Sequence, residues 1–426
     1  MPGMDDTSLR GLLETALGDE PPIGPVAGNS LRLGIKLRRR IRIRRAAGGA
    51  AVVVAMAAVI PAVIGIGGHT AAGVHPGAAR NVTGQVSDGG GGTPPAVTGS
   101  GTAYVINSGG GTVTPIDLAT NTPGRPIKVS GEPVAMAITP DGKTAYVASG
   151  ATNSGAEPTL AQTVTAIDLT TNTPGKPMDL QWSADAIVIT PDGKTAYLIN
   201  GFPSRTLTAV DLATNTPGKS ITLRGEPVAI AMAPDGKAYV CTVTSTGTPS
   251  DSRTVSEFMS LDPATGTLGK PVKLSGQPGA IAIAPDGKTA YVAIYSSGAV
   301  TPIDLTTNTA GKPIKVSGRP KAMMLYGQPM AIAIAPDGKT AYVANGATGT
   351  VTPIDLATDT PGKPISLSGK PGADAIAITP DGTAAYVANQ PSSTVTPIDL
   401  TTNTAGKPIK IGHGWDSGFE AIVIAP

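Results

Sequence analysis

From residue 102 to the C-terminus, apolar and polar positions follow one pattern that returns again and again. A fully apolar run such as AIAIAP (280–285) comes first, suited to a deeply buried strand. Pro-Asp-Gly-Lys follows, where proline presets φ and glycine takes the left-handed position of a tight hairpin. TAYVAN is a second strand, and TVTPIDL, alternating apolar with polar residues, is a third. Thr-Pro-Gly-Lys predicts a type II turn, with KPIKVSG as the fourth strand. The proline inside the third strand (Pro115, Pro302, Pro353, Pro397) removes a ladder donor and predicts a local bulge; Ala166 and Ala209 replace it in two units.

The Pro-Asp-Gly marker occurs six times, at intervals of 51, 43, 51, 51 and 44 residues from Asp141 to Asp381. The Ile-Asp-Leu marker, with variants, occurs seven times from Asp117 to Asp399. Seven of the nine tyrosines hold one equivalent place: Tyr104, Tyr146, Tyr197, Tyr239, Tyr291, Tyr342 and Tyr386. Periods of ~40–50 residues mean propellers or solenoids, and four antiparallel strands per unit make a propeller blade. The first unit lacks its apolar strand, and the chain stops at one, EAIVIAP (420–426). Pairing 420–426 with the strand begun at Thr102 closes a ring of seven blades and removes exposed sheet edges. The expected fold is all-β: a seven-bladed β-propeller of four-stranded antiparallel blades over 102–426.

These units, with YVAN, YVAS and YLIN beside PDGK and IDL..TNT, resemble the YVTN β-propeller repeat family, akin to quinoprotein-type propellers. The resemblance covers 102–426. It implies the fold, and an exported or surface location, but no single activity, because propellers host binding modules and enzymes alike.

The N-terminal quarter is of another kind. Residues 46–68 carry no charge, enough at 1.5 Å per residue to cross a ~30 Å hydrocarbon core, and KLRRRIRIRR (36–45) precedes them. This predicts a single transmembrane signal anchor with residues 1–45 cytoplasmic and the propeller extracytoplasmic, at the cell membrane; the alternative is a cleaved signal peptide. Residues 5–18 read as a short amphipathic helix, and 69–101, rich in Gly, Thr and Pro, as a tether.

Composition supports the division. The chain of 426 residues has 55 glycines and 40 prolines, too many for a helical protein, while 40% hydrophobic content suffices for a core. One cysteine and three histidines exclude an intrachain disulfide and argue against a Cys/His zinc site. Residues 102–426 hold 22 basic and 24 acidic residues, which gives no compositional sign of nucleic-acid binding. No cofactor is implied, and the propeller is expected to be monomeric.

The aspartates and tyrosines of the repeat are distributed around a ring, so they are expected to serve structure rather than converge on one site. Departures from the repeat are more telling. Loops between second and third strands, and connections between blades, emerge on one face, and the insertions gather there: GATNSGAEPTLAQ (150–162), TSTGTPSDSRTVSE (244–257) and GRPKAMMLY (318–326). Such a face is usually the binding face. The connections hold Glu132, Trp182, Asp185, Glu226, Gln277, Gln328, Lys370, His413, Trp415, Asp416 and Glu420. Two tryptophans and several acids at a channel mouth predict a site for a cationic or sugar-like ligand, or for a protein. No catalytic residue and no metal set is assigned. The main rival is a lactonase-like or other hydrolase using Asp185, Glu226, Asp416 and Glu420; a third possibility is a transmembrane sensor read out through residues 5–45.

Overall fold

The computed structural model describes residues 97–150, 162–180, 184–201, 204–246, 253–316, 329–346, 348–367, 372–390, 392–411 and 421–425. The expected helix at 5–18, the basic run, the apolar stretch 46–68 and the tether up to residue 96 lie outside them. Among the described residues no helix is long and apolar enough to cross a membrane.

The described residues form seven antiparallel sheets. Blade five is representative, with an inner strand Pro278–Ile283, a second Thr289–Ile294, a third Ala299–Asp304, and an outer strand in two pieces, Thr309–Ala310 and Ile314–Lys315. Blade one draws its inner strand from the chain's end: Ile422–Ala425 pairs antiparallel with Thr102–Asn107, Tyr104 facing Val423. The ring therefore closes as the repeat predicts. Residues 97–101 join the closure. Val97 is buried, the Gly99 N–H donates to Leu118 O at 2.9 Å, and Ser100 Oγ donates to Asp381 Oδ2 at 3.2 Å.

There is no single central core. Apolar layers lie between adjacent sheets, and the alternation Ala-Ile-Ala-Ile of the inner strands builds them. Ala280 and Ala282 of blade five meet Ile332 and Ile334 of blade six. Ala229 and Ala231 of blade four meet Ile281 and Ile283 of blade five, and Ala135 and Ala137 of blade two meet Ile187 and Ile189 of blade three. A small face against a large one suits the narrow hub of the ring, where sheets converge and interiors must be close-packed.

The two proline–glycine motifs of each unit take different roles. Pro-Asp-Gly-Lys forms the expected hairpin: Gly142 has φ 70°, its N–H donates to Thr139 O at 2.8 Å, and Asp141 Oδ1 accepts from the Lys143 N–H at 3.1 Å. The second hairpin turn is not at Thr-Pro-Gly-Lys. It lies earlier, across Leu-Ala-Thr-Asn, because Asp117 already pairs with Thr122. Asn121 takes the left-handed conformation there, at φ 56°, and Asp117 Oδ1 accepts from the Thr120 N–H at 2.9 Å. Equivalent Asn172, Asn215, Asn308, Asp359 and Asn403 do the same, short polar side chains being those that tolerate this region.

Pro-Gly-Lys-Pro instead forms the bulge that splits the outer strand. In blade one the Gly124 N–H donates to Pro115 O at 2.8 Å, so the irregularity lies opposite the third-strand proline while that strand runs on unbroken. Outer-strand prolines such as Pro177 and Pro271 keep the split even where Ala166 or Ser260 replaces the third-strand proline. Only blade three has a continuous outer strand, Thr216–Thr222, and there Ser220 stands in the outer proline's place, facing Thr208.

Candidate functional site

Entry to each blade and the loop between its second and third strands lie at the same end, since Glu132, which begins an inner strand, faces Gly150, which ends the neighbouring one. In five blades the register slips one residue after entry, as between Pro133 and Ala135 or Ala373 and Ala375. The extra residue is Val134, Val228, Gly279, Met330 or Asp374. A bulge re-aims the side chain it carries, here on the strand nearest the axis. Asp185 occupies the same place in blade three, with the motif Ala-Asp-Ala-Ile shared by 184–187 and 373–376.

Both carboxylates are held alike. Asp185 Oδ2 accepts from the Gly201 N–H at 2.9 Å, and Asp374 Oδ2 from the Gln390 N–H at 3.0 Å. Each side chain is only partly solvent-accessible and closely surrounded by protein. Desolvation pushes Asp185 up to about 6, against the Gly201 hydrogen bond and with help from the Glu226 charge. Desolvation pushes Asp374 up to about 7. Neither forms an ion pair among the described residues.

Glycine makes room for these acids. A Cβ on Gly201 would stand 2.3 Å from Asp185 Oδ2 and 3.8 Å from Glu226 Oε1, so both carboxylates bracket this one residue. At Asp374 the need is weaker: a Cβ on Gly346 of blade six would make only ordinary contact with Asp374 Oδ1, at 3.4 Å. Gly372, at φ 145°, presses so close to Gln390 that its Cβ would fall 1.3 Å from the Gln390 carbonyl.

The structure brings Asp185 and Glu226 together beside Gly201. Glu132 lies at the entry of blade two, partly accessible, and Gln277 at that of blade five, where the Tyr295 hydroxyl donates to its Oε1. Trp182, Gln328, Lys370, His413, Trp415, Asp416 and Glu420 lie outside the described residues, as do 318–326. Asp374 is the residue that sequence reasoning missed, and the Ala-Asp-Ala-Ile match with 184–187 was the available signal.

One insertion differs from expectation. Within TSTGTPSDSRTVSE, Thr244 pairs with Val255 and Ser245 with Thr254, in strands Ala238–Thr246 and Arg253–Asp262. Much of it is a lengthened hairpin rather than a loop. It carries Val255, 39% exposed, as the exposed large hydrophobic residue among those described.

The repeated residues serve the scaffold, as expected. The Tyr104 hydroxyl donates to Asn172 Oδ1 of the next blade at 3.1 Å, Tyr146 to Leu212 O at 3.3 Å, and Tyr291 to Asp359 Oδ1 at 3.4 Å. The aspartates that end the third strands, Asp117, Asp168, Asp211, Asp262, Asp304, Asp355 and Asp399, are held below the usual carboxylate range by hydroxyl and backbone donors, Asp304 to about 2 through Thr306 and Thr307. Cys241 is buried, and desolvation raises its thiol, so it is unreactive. No group of three or more metal-ligating side chains occurs among the described residues.

Neither a family model nor a curated protein matches the chain. Solved structures do. Kuenenia stuttgartiensis hydrazine synthase aligns at TM-score 0.59 and 20% identity, over 74% of this chain and 99% of that one. A functionally unknown protein from Desulfotomaculum acetoxidans DSM 771 aligns at 0.57 and 20%, over 76% and 99%. The dihydro-heme d1 dehydrogenase NirN, in complex with DHE, aligns at 0.53 and 16%, over 79% and 77%. The chain is a seven-bladed β-propeller. At such identities the likeness extends to the fold alone.

Proposed function

We propose that this protein is a membrane-anchored, extracytoplasmic propeller of the YVTN type. It works as a non-catalytic binding module, and its entry-end face takes a protein or glycan ligand that presents a cationic amine. The observation that supports this reading is the matched pair Asp185 and Asp374. Each is a carboxylate sunk at the strand nearest the axis, tied by one backbone N–H and lacking a cationic partner among the described residues. A charge so placed costs free energy unless a counter-charge meets it. A bound ammonium supplies that counter-charge, and Glu226 beside Asp185 strengthens the attraction. The rigid ring fixes the acids, and the anchor at 46–68 holds the domain at the membrane.

The test is a glycan and lysine-peptide array probed with the full-length chain and with the double variant Asp185→Asn, Asp374→Asn. Amine-bearing probes should bind more tightly at pH 8 than at pH 5, and the double variant should bind at least tenfold more weakly. Equal binding by both proteins, independent of pH, refutes the assignment.

A second reading, hydrolysis by carboxylates, draws on the same pair, since carboxyls near 6 and 7 are poised for proton transfer near neutral pH. Turnover of lactone or ester substrates, lost in Asp185→Asn, would favour it over binding alone.

A further inference from the structure

The outer strands carry a charge pattern that only the fold brings together. At one equivalent position every blade bears a basic residue: Arg125, Lys176, Lys219, Lys270, Lys312, Lys363 and Lys407. Lys128, Lys273, Lys315 and Lys410 add a second row three residues on, and all eleven are exposed. Asp179 is the one acid on these outer strands. None of the eleven is in an ion pair among the described residues. The acids of the repeat lie on other elements, at the ends of the third strands, in the hairpin turns and at the blade entries; Asp117 and its equivalents pair with the first outer-strand residue, and Glu257 faces Lys273 across strands. A chain whose formal net charge is only +2 thus carries eleven basic residues against one acid on its outer strands.

Lysine and proline at a sheet edge discourage edge-to-edge pairing. That need is met by charge of either sign, and by the Pro-Gly-Lys-Pro bulge itself, so it does not account for a single sign in all seven blades. A row of basic residues repeated on the outermost strand of every blade produces a field that attracts polyanions. Its convexity selects among them. A flat membrane can touch the outer strands of only one or two blades at a time, whereas a flexible chain can follow the rim. The outer strands hold no Phe, Tyr or Trp, so nucleic-acid bases would find nothing to stack on.

We propose that the propeller rim binds a linear, base-free polyanion of phosphate-bearing type, along the outer strands and apart from the entry-end face. The experiment measures binding of the full-length chain to inorganic polyphosphate, phosphatidylglycerol vesicles and oligo-dT of matched charge, at two salt concentrations. A rim variant carries Glu at Lys176, Lys270, Lys312 and Lys363. A control carries Glu at Lys143, Lys194, Lys288 and Lys339, exposed lysines of the hairpin turns, for the same change in net charge. Polyphosphate affinity should fall at least tenfold in the rim variant and less than threefold in the control, and should weaken as salt rises. The corresponding rim Gln set, which keeps the side-chain stems, should lose at least fivefold. Equal losses in rim and control variants, an unaffected rim variant, or tighter binding to vesicles or oligo-dT than to polyphosphate overturns the proposal.

Discussion

The Tyr386 hydroxyl donates across the ring junction to Asn121 Oδ1 at 3.0 Å, with the Leu118 carbonyl at 3.3 Å. Asn121 in turn donates to Val97 O. One side chain of blade seven is thereby tied to the turn of blade one and to the segment that enters it. Tyr386 is fully enclosed, and desolvation pushes its hydroxyl up to about 12.

This junction makes closure testable. Tyr386→Phe should cost about 1 kcal/mol by leaving Asn121 Oδ1 without its donor. Deleting residues 421–426 should cost on the order of several kcal/mol, since it uncovers the Tyr104 strand and empties an interblade layer. Urea denaturation measures both, and an unchanged midpoint on truncation would contradict closure.

Complementary faces at the hub predict a size rule. Ala282→Ile should destabilise by about 1–3 kcal/mol through overpacking against Ile332 and Ile334. Ile332→Ala should cost about 2–5 kcal/mol through the cavity it leaves. Because the two positions share one layer, the double variant should recover part of the loss in a thermodynamic cycle. Strict additivity would show that these faces do not pack on each other.

A buried strut recurs in three blades and is missing from another. Asn200, Asn345 and Asn389 donate through Nδ2 to Thr208, Thr352 and Thr396, at 2.7, 3.0 and 2.8 Å. Blade five has Ile294 at the Asn position, and Thr301 Oγ1 is left buried without a partner. Thr301→Val should therefore be neutral or stabilising, while Thr396→Val should cost about 1 kcal/mol by removing the shortest bond of the Asn389 amide, which keeps its longer ones to Thr394. Melting temperatures of the two variants check this, and equal shifts would refute it.

The acids at the blade entries set a pH dependence with a definite sign. Asp185 and Asp374 titrate at about 6 and about 7, above their ordinary value of 3.8. Their neutral forms are favoured in the fold, so the protein without ligand keeps that stability below about pH 4 and loses it as pH rises through 6 to 7. Each should cost on the order of 2–4 kcal/mol by pH 8. Asp304, Asp355 and Asp399 act oppositely, since their lowered values withdraw stability as the medium becomes more acidic than about pH 4. Stability should peak near pH 4–5, and Asp185→Asn with Asp374→Asn should flatten the alkaline limb. A wild-type melting temperature that does not fall between pH 5 and 8 would exclude the burial inferred for these groups.

Blade number, strand order and ring closure were legible along the chain, because hairpin chemistry is local and a strand without a partner at each end leaves one economical pairing. The role of Pro-Gly-Lys-Pro was misplaced, since a Pro-Gly turn signal looks alike whether it reverses the chain or bulges an edge; only the pairing of Asp117 with Thr122 tells them apart. Asp185 and Glu226 were visible as acids of successive blade connections, whereas Asp374 was hidden in a stretch that otherwise reads as an ordinary apolar strand.

The sequence by itself determined a closed ring of seven sheets and the face on which its irregular segments gather, because periodicity and turn residues act over a few positions. The tertiary structure decided which alanine meets which isoleucine, which acids share the axis-facing bulge position, and that basic residues scattered over nearly 300 residues all lie on outer strands. Those relations join residues of different blades, and only ring geometry converts such separations in sequence into neighbourhoods in space.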